Sequence, residues 1–377
     1  MKNNILNILN EFRNSGTARD LGRLLASYDK SPVTIMEVCG THTMSVFKYG
    51  IRGLLPEKIR LVSGPGCPVC VTPSYYIDAA VELSRRKDVI ITTFGDMMRV
   101  PGGEFPPQSG GSRGSGNSLL KERARGRDIR ILYSPLGSIK IASDNPGKNV
   151  VFLSIGFETT TPVIALMVLK AREKGIKNLF LLSANKTMPN ALKALTQEDA
   201  GIDGFIYPGH VSAVTGTAFY EELARTHGMP GIVTGFEPLD ILRAVIALSD
   251  NISSGKKIVE NHYSRVVEKE GNAVALGKMY EVFEPCDAVW RGIGAIAGSG
   301  LCVKHKYGGF DAWKVFDIKQ GKSFEPAGCL CGEVLKGKKA PCECPLFGGV
   351  CTPESPVGAC MVSSEGTCAA YYKYNAL

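Results

Sequence analysis

From about residue 31 to residue 250, short apolar, β-branched runs alternate with amphipathic stretches at helical spacing. That is the pattern of βα units in a parallel sheet, so the fold class is α/β with mostly parallel strands. The runs predict strands at Val33 to Val38, Arg60 to Ser63, Val89 to Phe94, Ile129 to Tyr133, Val150 to Ile155, Leu179 to Ser183, Gly204 to Tyr207 and Gly231 to Thr234. Helices are predicted over Tyr75 to Arg86, Val163 to Lys174, Asn190 to Leu195, Ala218 to Thr226 and Leu239 to Leu248. A break at Asn145-Pro146-Gly147 points to two α/β domains of similar size. Ser154-Ile155-Gly156-Phe157-Glu158 and Val233-Thr234-Gly235-Phe236-Glu237 both follow a strand and enter a helix, a short internal similarity in keeping with a distant repeat.

The polar motifs sit just after the predicted strands: Cys39-Gly40-Thr41-His42, Gly64 to Cys70, Gly95-Asp96, Gly156-Phe157-Glu158, Asn185-Lys186, Pro208-Gly209-His210 and Gly235-Phe236-Glu237. In open α/β sheets the carboxyl ends of the strands form the ligand-binding edge, so these loops are expected to converge on one cleft between the two domains. Cys39, Thr41, His42, Cys67, Cys70, Asp96, Glu158 and His210 are thereby candidate site residues. For Glu158, Glu237, Asp96 and His210 an ordinary structural role, such as a carboxylate favouring a helix N-terminus, weighs about as much as a ligand role.

Composition narrows the class. A chain of 377 residues holds two or three domains of ordinary size, and 44% hydrophobic with 21% charged residues is globular. No apolar run approaches the roughly 18 residues of a membrane-spanning helix. The opening segment MKNNILNILNEFRN carries Glu11 and polar residues at helical spacing, unlike a secretory signal, which places the expected location in the cytoplasm. The net charge is +8. Its densest basic stretch, Lys121 to Arg130, is interrupted by Glu122 and Asp128 and reads as a solvated face; without neighbouring aromatics it argues against nucleic-acid binding. Pro101 to Ser118, rich in Gly, Pro and Ser, is expected to be a loop.

Twelve cysteines in such a chain point to metal or redox chemistry and not to structural disulfides. Seven lie between Cys329 and Cys368 and three between Cys39 and Cys70, leaving Cys286 and Cys302 apart. A [4Fe-4S] cluster takes one thiolate per iron, and Cys329, Cys344, Cys351 and Cys368 offer four from separate loops; Cys331 competes with Cys329, and Cys360 is a further candidate. A structural zinc site is the alternative. Zinc knuckles pair cysteines two to four residues apart, whereas Cys329-Leu330-Cys331 and Cys342-Glu343-Cys344 are tighter and the other intervals irregular, which favours the cluster.

Upstream, Cys39 lies between a strand and a helix, where unpaired N–H groups and the helix dipole favour a thiolate, with His42 close by to exchange a proton. Cys67-Pro68-Val69-Cys70 follows the turn Gly64-Pro65-Gly66 and is a pair able to close to a disulfide. A strand-end cysteine can equally be a small buried hydrophobe, and Thr41 a helix cap.

Together these residues resemble the HypD family of hydrogenase maturation proteins over essentially the whole chain. The motifs are Met36-Glu37-Val38-Cys39-Gly40-Thr41-His42, Ser63-Gly64-Pro65-Gly66-Cys67-Pro68-Val69-Cys70-Val71-Thr72-Pro73, Thr93-Phe94-Gly95-Asp96-Met97, Gly156-Phe157-Glu158-Thr159-Thr160, and Cys351-Thr352-Pro353 through Cys360-Met361-Val362-Ser363-Ser364-Glu365-Gly366. The resemblance implies two related α/β domains and a smaller iron–sulfur domain. The expected boundaries are 1–145 for an N-terminal helix with the first α/β domain, 146–262 for the second and 263–377 for the cluster domain. It further implies a role in building the Fe(CN)2CO group of nickel–iron hydrogenase, with a small HypC-like partner and a HypE-like cyanide donor. Cys39 is then the expected iron ligand, His42 its assistant, and Cys67 with Cys70 a pair exchanging electrons with the C-terminal [4Fe-4S] cluster. A thiol–disulfide oxidoreductase of thioredoxin-like type, resting on Cys67 and Cys70, is the rival reading. A phosphate-binding enzyme, suggested by Gly110 to Gly116, is weaker because no Gly-x4-Gly-Lys-Ser/Thr loop follows a strand.

Overall fold

The computed structural model describes residues 13–103, 117–197 and 201–375. The opening segment up to residue 12, most of the Pro101 to Ser118 loop and the Gly110 to Gly116 stretch lie outside the described residues. All eight expected strands form: β1 (Val33–Glu37), β2 (Ile59–Ser63), β3 (Val89–Thr93), β4 (Ile129–Ile131), β5 (Asn149–Ser154), β6 (Leu179–Ser183), β7 (Gly204–Pro208) and β8 (Gly231–Thr234). They are legible because β3, β7 and β8 are buried along their whole length, as parallel strands covered on both faces must be. A ninth parallel strand, β9 (Val259–Asn261), is half-buried at an edge and carries too short an apolar signal to be read.

The strands divide between two parallel sheets, in the order β2-β1-β7-β8-β9 and β4-β3-β5-β6. The chain opens the first sheet, leaves it to build the whole of the second, and returns. Asn145-Pro146-Gly147 joins the helix Gly137–Asp144 to β5, inside the second sheet. Nothing in composition marks the two real crossings, because each runs through the same kind of loop and helix as a crossover within one sheet.

The two sheets have the same strand order, β4-β3-β5-β6 matching β2-β1-β7-β8. In that correspondence β5 is the counterpart of β7 and not of β8, so the two Gly-Phe-Glu motifs sit at non-equivalent strand ends. Each sheet reverses its direction of strand addition once, between β1 and β7 and between β3 and β5, and such a reversal opens a crevice at the carboxyl ends. Cys39 to His42 and Gly209-His210 emerge at the first reversal; Gly95-Asp96 and Gly156-Phe157-Glu158 emerge at the second.

One core joins the sheets. Met36, Phe205, Tyr207 and Val233 from the first face Val89, Ile91, Val151 and Leu153 from the second within one buried cluster. The same cluster takes in Cys67, Cys70, Cys331, Cys351, Cys360 and Cys368. The opposite faces are covered separately: Ile35, Ile206 and Ile232 by the helix Pro238–Ser253, and Ile90, Val150 and Phe152 by the helix Thr161–Glu173.

Several helices begin earlier than expected. Those at Thr161–Glu173, Met188–Thr196 and Pro238–Ser253 carry proline in the first turn, where its missing N–H costs nothing and its fixed φ suits a helix start. The helix Gly40–Lys48 stands where one was expected after Cys39, whereas Gly209–Thr215 and Ala273–Val282 were not foreseen; Gly209–Thr215 is short and follows Pro208. The stretch Lys121 to Arg130 overlaps the helix Leu119–Ala124, on which the buried Glu122 carboxylate is reached by both Arg85 and Arg125, at 2.9 and 2.7 Å.

After the sheets, β10 (Phe283–Trp290) and β11 (Gly294–Val303) form an antiparallel hairpin. Cys286 and Cys302 are disulfide-bonded across it, with a Cα separation of 5.9 Å. For this pair the expectation that no cysteine serves in a structural disulfide is overturned: the hairpin register sets the two side chains within bridging reach. No helix among the described residues is long and apolar enough to cross a membrane.

The bridge closes a sequence separation of 16, which in the chain-entropy account stabilises the fold by about 3 kcal/mol. A Cys302→Ser variant is therefore expected to unfold at lower denaturant concentration than the parent without reductant, the gap closing once reductant is present. Coincident curves in both conditions would show that the bridge is not formed.

Candidate functional site

The register of β1 and β2, Val33 opposite Ile59 through Glu37 opposite Ser63, ends both strands at one level. Their following loops therefore leave side by side, and they touch. Gly40 N–H donates to the Gly66 carbonyl at 3.3 Å, and any side chain on Gly66 would strike the backbone N and Cα of Cys39. Only glycine permits that approach, which fixes Cys67 beside Cys39.

Cys39 is the extended residue that caps the helix Gly40–Lys48. The N–H groups of Thr41 and His42 are directed to its sulfur, yet burial dominates and pushes the thiol up to about 12, with Glu365 and Glu37 adding to the rise. Without a cation Cys39 is a neutral thiol, so the helix terminus alone does not produce the thiolate expected from the sequence. A bound metal ion reverses that balance, since coordination deprotonates a thiol outright.

Glu37, quoted in the motif but not singled out as a site residue, secures this loop from beneath. Its buried carboxyl accepts from Cys39 N–H at 3.2 Å and from the Thr43 hydroxyl at 2.5 Å, and burial pushes it up to about 8. The signal available in the sequence was a carboxylate ending the strand Val33–Glu37, whose other residues are apolar apart from the uncharged Thr34.

His42 is fully buried. Its Nε2–H donates to the Gly235 carbonyl at 2.8 Å, which leaves Nδ1 as the lone-pair nitrogen, buried and without a partner. Burial holds the ring down to about 4, so it is neutral and an acceptor. Phe236 packs against His42 at 4.8 Å and against His210 at 5.0 Å, joining the loops after β1, β7 and β8. Thr41 does not cap its helix; its hydroxyl donates to Glu365 at 2.8 Å.

At the second reversal a cavity of about 680 Å³ is lined by Cys67, Asp96, Gly156, Thr159, Ser363 and Glu365. Asp96 is exposed at this cavity. Glu158 points elsewhere: one carboxyl oxygen accepts from Met188 N–H at 2.9 Å, the other has no partner, and burial raises the group to about 7. Cys39, His42 and His210 thus belong to one reversal, Cys67 and Asp96 to the cavity at the other, and the Gly66 contact is where the two meet.

Cys67 and Cys70 are both buried free thiols, with Cys70 N–H 3.4 Å from the Cys67 sulfur. Burial drives the Cys70 thiol up, and its neighbours are Cys67 on one side and Cys360 on the other. Cys360 in turn meets Cys331 and Cys368, the three sulfurs lying within 4.8 Å of one another. Contacts from Cys331, Cys368 and Cys70 hold the Cys360 thiol below its ordinary range. Cys329 adjoins Cys331. Glycine 358 makes that possible, because a Cβ there would lie 2.5 Å from the Cys331 sulfur and 2.8 Å from that of Cys329. The Cys351 sulfur accepts from Val357 N–H at 3.4 Å and is influenced by Cys331 and Cys329, while Cys344 lies against the Gly328 carbonyl at 3.7 Å. Cys342 is exposed beside the Tyr371 hydroxyl.

A sulfur-lined cradle of this kind, with a glycine where a methyl group would fill it, suits a thiolate-bound cluster or a soft metal ion. Cys360, a marginal candidate in the sequence, is the thiol that joins Cys70 to the C-terminal group.

The HypD family model, described as hydrogenase formation hypA family, matches residues 17–375. The chain belongs to the HypD family. It is 42% identical to hydrogenase maturation factor HypD2 of Bradyrhizobium diazoefficiens over 374 residues, covering 97% of this chain and 96% of that protein. With hydrogenase maturation factor HypD of Escherichia coli K12 the identity is 44% over 347 residues, 91% of this chain and 89% of the relative. With the Methanocaldococcus jannaschii protein MJ0993, a putative hydrogenase expression/formation protein, it is 43% over 354 residues, 94% and 95% respectively.

The thiols of this HypD chain differ sharply in access. In metal-free protein under anaerobic native conditions, an alkylating reagent is expected to modify exposed Cys342 well before buried Cys39, whose ionisation burial suppresses. Peptide mass mapping over time would check this, and equal labelling of Cys39 and Cys342 at early times would contradict it.

Proposed function

We propose that this chain is a cytoplasmic hydrogenase maturation factor that holds iron at Cys39 while the Fe(CN)2CO group of nickel–iron hydrogenase is assembled, together with a small HypC-like protein and a HypE-like cyanide donor. The observation that carries the reading is the unbroken run of sulfur from the Cys39 loop to the C-terminal cysteines. Cys67 lies against the Cys39 loop, Cys70 follows, and Cys360 connects it to Cys331 and Cys368.

The iron is cargo in this scheme. Cys39 supplies a thiolate once the cation is present, its proton leaving as the metal binds. His42 Nδ1, a buried lone pair already oriented by the Nε2–H bond to Gly235, offers a neutral acceptor for a hydrogen bond beside the Cys39 loop. Glu37 keeps the loop in register through Cys39 N–H and Thr43. The partner and the donated ligands are taken to reach the iron from the cavity that Cys67, Asp96 and Glu365 line. Low-spin ferrous iron carrying cyanide and carbon monoxide suits a thiolate in such a sheltered setting.

Of the C-terminal sulfurs, Cys329, Cys344, Cys351 and Cys368 are proposed to hold the [4Fe-4S] cluster, with Cys331 the competitor of Cys329. A bound cluster supplies one-electron steps at low potential. Cys67 and Cys70 add a two-electron reservoir: closing their disulfide releases two electrons and two protons, and Cys360 is the thiol through which that pair adjoins the cluster region. The thioredoxin-like alternative is disfavoured, because a reductase of protein disulfides presents its attacking sulfur to solvent, whereas Cys67 and Cys70 are 3% and 1% exposed.

Two variants test the division of labour. Cys39→Ala is expected to keep the visible cluster absorbance and the fold but abolish maturation of a nickel–iron hydrogenase in cells, whereas Cys351→Ala bleaches the absorbance. Normal hydrogenase activity with Cys39→Ala would refute the assignment of iron to that thiol; an unchanged spectrum with Cys351→Ala would remove it from the cluster.

A further inference from the structure

The loop after β6 carries a motif that the iron chemistry leaves unused. Lys186 is 3% exposed, and among the described residues its ammonium meets only the Ala184 carbonyl, at 3.5 Å, and the face of Trp290, 5.8 Å to the ring centroid. Three donors with one long contact is poor satisfaction for a buried cation. Burial alone lowers its amine, to about 7, and no carboxylate contributes.

Lys186 lines a cavity of about 250 Å³ between the end of β6 and the hairpin of β10 and β11. The hairpin is fastened there by Leu301 N–H to Asn185 O at 3.0 Å, Ser183 hydroxyl to Leu301 O at 3.1 Å and Thr187 N–H to Ser299 O at 2.9 Å. Tyr75, Trp313 and Leu301 give the cavity aromatic and apolar walls. The other charged residues that line it are engaged: Asp311 pairs with Lys314 at 3.6 Å, and Asp287 accepts from Gly298 N–H at 2.9 Å. Among the described residues lining the cavity, Lys186 is the buried charge left without a counter-ion; Asp287, which has none either, is exposed.

We infer that this cavity is a binding site for a small organic carboxylate, its anionic head on Lys186 and its apolar body between Tyr75, Trp313 and Leu301. The volume, on the order of eight water molecules, fits a compact ligand, and a single cation fits a monoanion. The carboxylate supplies the charge-assisted partner that the ammonium lacks, and the aromatic walls bury the rest of the ligand. The site lies behind the hairpin, apart from the cavity lined by Cys67 and Asp96, and does not depend on the iron reading.

The molecule carries its own probe, since both of its two tryptophans adjoin the site: Trp313 in the wall and Trp290 over the Lys186 ammonium. Titration of the full-length protein with benzoate, followed by tryptophan fluorescence, is expected to give a saturable change. Benzamide, of the same shape without the charge, should bind about tenfold more weakly or worse. Lys186→Met should reduce benzoate affinity by a similar factor, while Lys140→Met, on the exposed face of the helix Gly137–Asp144 and outside the cavity, leaves it unchanged. A non-saturating response, equal binding of benzamide, or loss of binding in Lys140→Met but not Lys186→Met would overturn the site. Should Lys186→Met fail to fold, the comparison of benzoate with benzamide on the parent protein decides the matter alone.

Discussion

The two ends of the chain are held together by the seating of Glu365 on the head of the helix Gly40–Lys48. The Thr41 hydroxyl donates to its carboxylate at 2.8 Å, and Gly40 approaches so closely that a Cβ there would lie 2.5 Å from the Glu365 Cβ. This contact sets the segment Ser363–Gly366 against the Cys39 loop, and Cys360 and Cys368 flank that segment. With Gly66 closing on Cys39 from the other side, the sulfur atoms become neighbours through backbone contacts that tolerate no larger side chain. The arrangement of the site is therefore a consequence of packing at three glycines, Gly40, Gly66 and Gly358, more than of any hydrogen bond among the thiols.

Electrostatics within that packing runs in one direction. Burial raises Cys39, Cys70, Glu37 and Glu158 and lowers His42 and Lys186, so each of these groups is pushed toward neutrality. A neutral interior of this kind stays soft toward a cation. An entering metal ion meets acceptors and undissociated thiols without an existing ion pair to break. Cys360 is the exception, held low by three sulfur neighbours, and it stands midway between Cys70 and the C-terminal group.

Much of this was legible in the residues. Strands buried on both faces announce themselves as apolar runs, and the motifs after β1, β7, β3 and β5 fell at the two points where strand order reverses. The division of strands between sheets was not legible, since β1 pairs with β7 although the whole second sheet intervenes in the chain, and no local signal encodes a long-range partner. The hairpin of β10 and β11 and its disulfide escaped notice because the exposed half of each strand dilutes the apolar pattern. Cys39, Cys67 and Cys70 stood out by motif. Glu37 did not, hidden by the apolar residues around it, and the place of Cys360 beside Cys70 depends on a contact between residues far apart in the chain.

The central claim is that Cys39 carries the iron on which cyanide and carbon monoxide are assembled. Infrared spectroscopy of the chain isolated anaerobically with its maturation partners addresses it most directly. The account predicts cyanide and carbonyl stretching bands in the parent complex and their loss in Cys39→Ser with the cluster absorbance retained. Bands of unchanged position and intensity in Cys39→Ser would contradict it.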